Sequence, residues 1–436
     1  MKAAFQTSHL IFTTFTWVAN ALGVIEYCLP GCNIWVCTTG SIKVVYRTTK
    51  PTPASVPIVT RGNAFWRDGE RFFVKGIAYV PRSSNRERGI REDSVDPLSD
   101  AHLPELKEDV ALIRNLGLNS ISLYNVDSSK DHSQAMAHLE ENGIYVTVKL
   151  FNDLEAPTAM PKNESNFKAK SATWPMYDNP LVTNAFRLVH NLSRYPNLLG
   201  FVVSGRCIHT PQTIPMAEVL RACIRDTKAF LRSFDGVRQI PVGVSADNTQ
   251  TSMIAQVRYF SAGLAAERAD FMAKQCYSWA GPSSFTVSGW QNMVERIGPE
   301  TMMPMLMGEY GAKTRKSRPW DEVTCLYSPH MTSVYSGGFA YTYLENGNNY
   351  GVVKIDEEGK RVIGQEYKNL KKRFKEVNGR SAEDVASEEV KPYEQWVGEF
   401  PPCDTRWQAT SEIPPFPGNW DAVIRNVLGD LAPLGS

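Results

Sequence analysis

A chain of 436 residues with 42% hydrophobic and 21% charged side chains is ordinary globular material, which excludes a disordered or fibrous protein. Its 47 Lys and Arg against 46 Asp and Glu leave a formal charge of +1, which argues against nucleic acid or an anionic membrane as the main partner. Aromatic residues reach 11%, with 10 Trp and 17 Tyr, a supply that suits sugar faces as well as core packing.

At the amino terminus no charge follows Lys2 until Glu26, counting His9 as neutral, and Leu10 to Val18 is apolar with several Thr. Ala19-Asn20-Ala21 then supplies a small-x-small cleavage pattern, so residues 1–21 are expected to form a secretory signal; a signal anchor or a misassigned start are the rivals. Residues 22–57 stay unassigned: Cys28, Cys32 and Cys37 fit no zinc spacing, and Thr48 to Pro57 has linker composition. The other cysteines, Cys207, Cys223, Cys276, Cys325 and Cys403, are scattered without a disulfide framework. The sequons Asn163-Glu164-Ser165 and Asn191-Leu192-Ser193 are compatible with a secreted glycoprotein, and the end NVLGDLAPLGS carries no lipid-anchor signal.

From Asn63 to Val74 the pattern predicts a hairpin that turns at Arg67-Asp68-Gly69. Short apolar runs then alternate with helical patterns. The strand candidates are Phe73–Tyr79, Ser120–Tyr124, Tyr145–Leu150, Leu199–Ser204, Ile240–Ser245, Phe271–Tyr277, Met303–Gly308 and Gly338–Tyr343. Between them Pro104–Leu116, His132–Asn142, Val182–Ser193, Pro215–Phe234, Ser284–Ile297 and Gln365–Val377 read as helices. Uniformly apolar strands imply burial on both faces and a parallel sheet. Residues 58–377 are therefore expected to fold as an α/β (β/α)8 TIM barrel; the rival, an open doubly wound sheet, would want a Gly-rich phosphate loop that is missing. Residues 378–436 form a charged linker and a tail whose Tyr393, Trp396, Trp407 and Trp420 are expected to pack on the barrel.

In such a barrel the working residues lie beyond the carboxyl ends of the strands. Those positions are Tyr79, Tyr124, Lys149, Gly205, Arg206, Trp279, Glu309 and Tyr310. Glu309 is the sharpest of them: it ends the apolar run Met303–Met307 between Gly308 and Gly311, and its alternative is a salt-bridged carboxylate at a strand end.

The runs FFVKGIAYVP (72–81), LGLNSISLYNVDSSKDHSQAM (116–136), IPVGVSADN (240–248) and the long stretch 308–356 resemble the fungal β-1,3-glucanosyltransferases of glycoside hydrolase family 72. The likeness runs in order from Ile58 to Val377. It implies a barrel that cuts β-1,3-glucan and passes the new end to another glucan, with no metal or cofactor, in a secreted monomer working at the cell wall. Some members carry a Cys-rich carbohydrate-binding module after the barrel, which this sequence does not show. The family nucleophile falls on Glu309 within Gly308-Glu309-Tyr310-Gly311, and the resemblance implies a substrate cleft from Tyr79, Tyr124, Gly205, Tyr277, Trp279, Tyr310 and Tyr343.

Several family positions have changed. The Asn-Glu pair that carries the acid/base is Gly205-Arg206, the usual Gln after Tyr79 is Val80, the Arg before Leu123 and Tyr124 is Ser122, and the Asp ending the third strand is Lys149. Two cysteines that the family pairs across the sixth and seventh strand mouths are Ala280 and Ala312. A retaining glycosidase needs two carboxyls about 5 Å apart, one to attack and one to move protons. A guanidinium stays protonated and accepts nothing, so Arg206 supplies no such group. Two readings follow: a glucanosyltransferase of impaired activity, or an inactive β-1,3-glucan-binding wall protein. His209 is a conceivable substitute proton donor, Arg206 is expected to face Glu309 across the cleft, and a cytosolic role is a third, weaker reading.

Overall fold

The computed structural model describes the backbone of residues 16–19, 25–29, 32–39 and 41–46, then residues 54–81, 95–151, 177–203, 208, 213–234, 237–246, 252–314, 317–381 and 390–429. The chain divides into two compact units, Met1–Thr52 and Pro53–Ser436. In the first, β1 (Thr16–Ala19), β2 (Ile25–Leu29), β3 (Cys32–Thr39) and β4 (Ser41–Tyr46) form an antiparallel meander. The rest of the expected signal, residues 1–15 and 20–21, lies outside the described residues.

The second unit opens with a three-stranded sheet of β5 (Val59–Arg61), β6 (Ala64–Arg67) and β7 (Glu70–Phe72). The expected hairpin turn is there: Asp68 and Gly69 have φ of 50° and 79°, the left-handed pair that matches the twist of two-residue hairpins. Eight parallel strands then close on themselves: β8 (Val74–Ala78), β9 (Ser120–Leu123), β10 (Tyr145–Leu150), β11 (Leu198–Val203), β12 (Val242–Ala246), β13 (Met272–Ala280), β14 (Met305–Ala312) and β15 (Tyr335–Ala340). The helices between them include α1 (Leu103–Asn115), α2 (Ser133–Glu141), α3 (Asn179–Leu192), α4 (Met216–Arg232), α5 (Met253–Ser261), α6 (Trp290–Ile297), α7 (Asp321–Leu326), α8 (Pro329–Thr332) and α9 (Gln365–Asn378). This is the (β/α)8 barrel read from the sequence.

The barrel has two cores. The large one lies between strands and helices. The small one fills the barrel's lower interior with Phe72, Val74, Tyr145, Leu199, Phe271, Leu306 and Phe339. The hairpin caps it, since Phe65 meets Phe271 edge-on at 5.4 Å and Phe72 meets Tyr145 at 5.1 Å. The amino end of the barrel is thus plugged with aromatic rings. Beyond α9 the tail crosses the helices: Trp407 is buried against Tyr259 of α5, while Phe416 and Trp420 pack on Phe186 of α3.

Candidate active site

Strand alternation aims the site residues. On β9 Ser120 and Ser122 share a face that continues to Tyr124, and on β10 Tyr145, Thr147 and Lys149 share one; Tyr145 belongs to the floor core, so Lys149 stands above it. Alternation alone would send Glu309 outward, because Leu306 on the same strand points into the floor core. The pairing of β13 with β14 slips between Lys274 and Gln275, so Gln275 meets Glu309 rather than Gly308. Such a bulge is a common way to re-aim a catalytic side chain.

Glu309 is buried, and both of its oxygens are engaged. Oε1 accepts from the Tyr124 hydroxyl at 2.6 Å and Oε2 from the Tyr277 hydroxyl at 2.8 Å. The Lys149 ammonium lies 3.8 Å from Oε1 and 3.5 Å above the centre of the Tyr124 ring. Burial first, and the Glu309 charge second, push both phenols well above their usual range, so both remain donors at neutral pH. Tyr341 and Tyr350 stand around Tyr277, with ring centres 6.4 and 6.2 Å from it and 5.6 Å from each other. Among the described residues the groups bonded to Glu309 are two phenols and an ammonium, and none is a carboxyl. No group of His, Cys, Asp and Glu among the described residues is arranged to hold a metal.

The sequence-predicted residues do not all converge. Tyr124, Tyr277 and Glu309 come together, joined by Lys149. Tyr79 and Tyr343 instead turn outward: their hydroxyls donate to Asp109 of α1 at 2.8 and 3.0 Å, and both are buried. Tyr310 is fully buried and packs edge-on to Trp320, because residue 310 faces opposite to 309 on the strand. Trp279 is buried against Trp290 at 5.0 Å. These four therefore correct the expected cleft lining: each is closed behind the strands by its own packing. Tyr341 and Tyr350 were not singled out from sequence, although Tyr341 lies two residues after the inward-facing Phe339 and alternation points to it. Gly205, Arg206, His209 and Asn163 lie outside the described residues. Asn191 is only 5% exposed and its amide donates to the Lys130 carbonyl at 2.6 Å, so the folded chain offers no glycan acceptor there.

Comparison with known proteins interprets the geometry. The family described as glucanosyltransferase, glycoside hydrolase 72, matches residues 47–378. The chain belongs to that family. It is 30% identical over 413 residues to the 1,3-beta-glucanosyltransferase GAS5 of Saccharomyces cerevisiae, covering 93% of this chain and 78% of that protein. To gel1 of Aspergillus fumigatus it is 34% identical over 327 residues, covering 75% of this chain and 67% of the relative. The structure of Saccharomyces cerevisiae Gas2p with laminaritriose and laminaritetraose superposes with a TM-score of 0.69 at 28% identity, over 86% of this chain and 80% of that one. Within the family frame, Ala280 and Ala312 are direct partners in the β13–β14 register, placed where the family resemblance puts two paired cysteines.

Proposed function

We propose that the protein is a secreted cell-wall member of the glucanosyltransferase family that binds β-1,3-glucan around Glu309 and transfers it with impaired activity. The observation that carries this reading is the occupation of Glu309: two phenols hold its oxygens and Lys149 stands against one of them. Held by two hydroxyl donors and facing an ammonium, the carboxylate is fixed in one orientation, as attack on an anomeric carbon requires, while the cation draws on the same lone pairs. The Tyr277, Tyr341 and Tyr350 rings supply flat apolar faces of the kind on which a sugar ring stacks. The family's proton-moving carboxyl corresponds in sequence to Arg206. Loss of general acid–base help costs about 10²–10⁴-fold, so slow turnover is the expected consequence.

The sequence correspondence of Arg206 with the family's proton-moving carboxyl also favours a second reading, an inactive glucan-binding wall protein. Incubation of the pure protein with laminari-oligosaccharides separates the two. The proposal expects slow formation of products longer than the donor, and a gain on the order of 10²-fold in Arg206→Glu, as restored acid–base help allows. Binding of laminaripentaose with no longer products would establish the second reading. A wild-type rate equal to that of Arg206→Glu would show that position 206 does not limit the reaction.

A further inference from the structure

Arg318 lies in the segment between β14 and α7 and is buried. A guanidinium is a rigid planar fork of donors, and a buried one must find acceptors for them. Glu366 of α9 takes one edge, its Oε2 accepting from Nε at 2.8 Å and from Nη2 at 2.5 Å. The opposite edge is aimed at main-chain carbonyls. Nη1 donates to Gly311 at 3.2 Å and to Tyr341 at 2.5 Å, and Nη2 donates to Tyr350. The Trp320 ring, its centre 4.1 Å from the guanidinium carbon, covers one face of the fork.

Those carbonyls belong to the walls of the site. Gly311 is two residues beyond Glu309 on β14, Tyr341 directly follows β15, and Tyr350 closes the loop that leaves it. The loop between the two tyrosines is braced within itself, since the Glu345 carboxylate accepts from the amides of Gly347, Asn349 and Gly351 at 2.7, 2.9 and 3.1 Å. Arg318 therefore holds both ends of one stiff piece. The Tyr341 and Tyr350 rings stand 6.4 and 6.2 Å from Tyr277, whose hydroxyl donates to Glu309. A buried ion pair is by itself weak evidence of a stabilising role, because desolvation offsets its attraction. What sets this one apart is where the donors not taken by Glu366 go. We propose that Arg318 is a positioning residue: acting through main-chain carbonyls, it fixes the Tyr341 and Tyr350 rings against Tyr277 and so sets the stacking face beside Glu309. The inference rests on the glucan reading above. Lysine is no substitute, since an ammonium is a point charge and presents no fork to span Glu366 and the carbonyls at once.

The test compares Arg318→Lys and Glu366→Gln with the wild type in two measurements on the full chain: amide hydrogen exchange read by peptide mass spectrometry, and calorimetric titration with laminaripentaose. Exchange in residues 341–352 is expected to rise about tenfold or more in Arg318→Lys, and by a smaller factor in Glu366→Gln, while β10 and β12 stay as protected as before. Affinity should fall about tenfold in Arg318→Lys and about threefold in Glu366→Gln. Tyr79→Phe, which weakens the fold elsewhere, should leave affinity intact. Exchange in 341–352 that is unchanged in both variants overturns the proposal. So does a rise spread evenly over the barrel, which would make Arg318 a general brace, or a local rise with laminaripentaose affinity intact. Glu366→Gln decides by the same criteria should Arg318→Lys fail to fold. A wild type that binds no laminaripentaose would strike the glucan reading instead, and the local exchange would then judge the positioning by itself.

Discussion

Asp109 shows how a residue far from the chemistry holds the barrel together. It is fully buried on α1, where it accepts from Tyr79 and Tyr343 and is paired with the Arg361 Nε at 2.9 Å. Three segments distant in sequence meet on one carboxylate. Removing one member of a buried ion pair leaves an uncompensated charge, at a cost of about 3–5 kcal/mol. Asp109→Ala is therefore expected to lower unfolding free energy in guanidinium titrations by that amount. Tyr79→Phe and Tyr343→Phe, which each remove a single donor, should cost about 1–3 kcal/mol. If Asp109→Ala costs no more than either phenylalanine variant, the carboxylate is not the hub. Neither tyrosine touches Glu309 in this arrangement, so loss of stability without loss of laminari-oligosaccharide affinity is the expected signature of both.

At the scale of one element, α7 carries a carboxyl in an unfavourable setting. Trp320 precedes it in a left-handed conformation, φ 58°, and Arg318 stacks 4.1 Å over the Trp320 ring. Glu322 is buried, and burial pushes its pKa up from 4.5 to about 7 in spite of the nearby Arg318 and Arg373. The folded chain thus binds this proton more tightly than the unfolded one, so the contribution to stability is full below pH 4.5 and is lost as pH rises through 7. At about 1.4 kcal/mol per unit, the loss reaches the order of 3 kcal/mol. Glu322→Gln, neutral at every pH, should match the wild type at pH 4.5 and be more stable by up to that amount at pH 8, read by denaturant titration. An equal difference at both pH values would mean that the carboxyl does not titrate there. The elements themselves were legible where periodicity was strong: β10 matches its expected span, and α1, α2, α4 and α9 agree within two residues. Helices α5 and α7 were not read, since segments of 9 and 6 residues are too short for a helical period to stand out. Strand β15 starts at Tyr335 and ends at Ala340 rather than running 338–343, because Gly337 and Gly338 weaken the strand pattern where the backbone has to approach β14 and β8 closely. Glu309 was legible as a carboxylate at a strand mouth; the bulge that turns it inward was not, since register slips leave no mark in composition.

The whole molecule hides many phenols, and this fixes its response to alkali. Tyr79, Tyr124, Tyr310 and Tyr335 are all pushed well above their usual range, with burial the largest cause in each. In the unfolded chain each ionises near pH 10. A raised folded pKa means that stability is intact below pH 10 and falls above it, as the unfolded chain releases protons that the folded chain keeps. Each such tyrosine contributes a slope of about 1.4 kcal/mol per pH unit, so four together remove on the order of 6 kcal/mol per unit above pH 10. Set against a total stability of about 5–15 kcal/mol, that loss unfolds the protein within one to three pH units. The tail does not relieve it, because Tyr259 and Tyr393, closed off by Phe400, Trp407 and Arg268, are raised by burial as well. In a pH titration, phenolate absorbance should therefore appear in a steep step that coincides with loss of the far-ultraviolet dichroism signal. A gradual rise in phenolate over several pH units with the dichroism intact would show that these rings are reached by solvent in the native state.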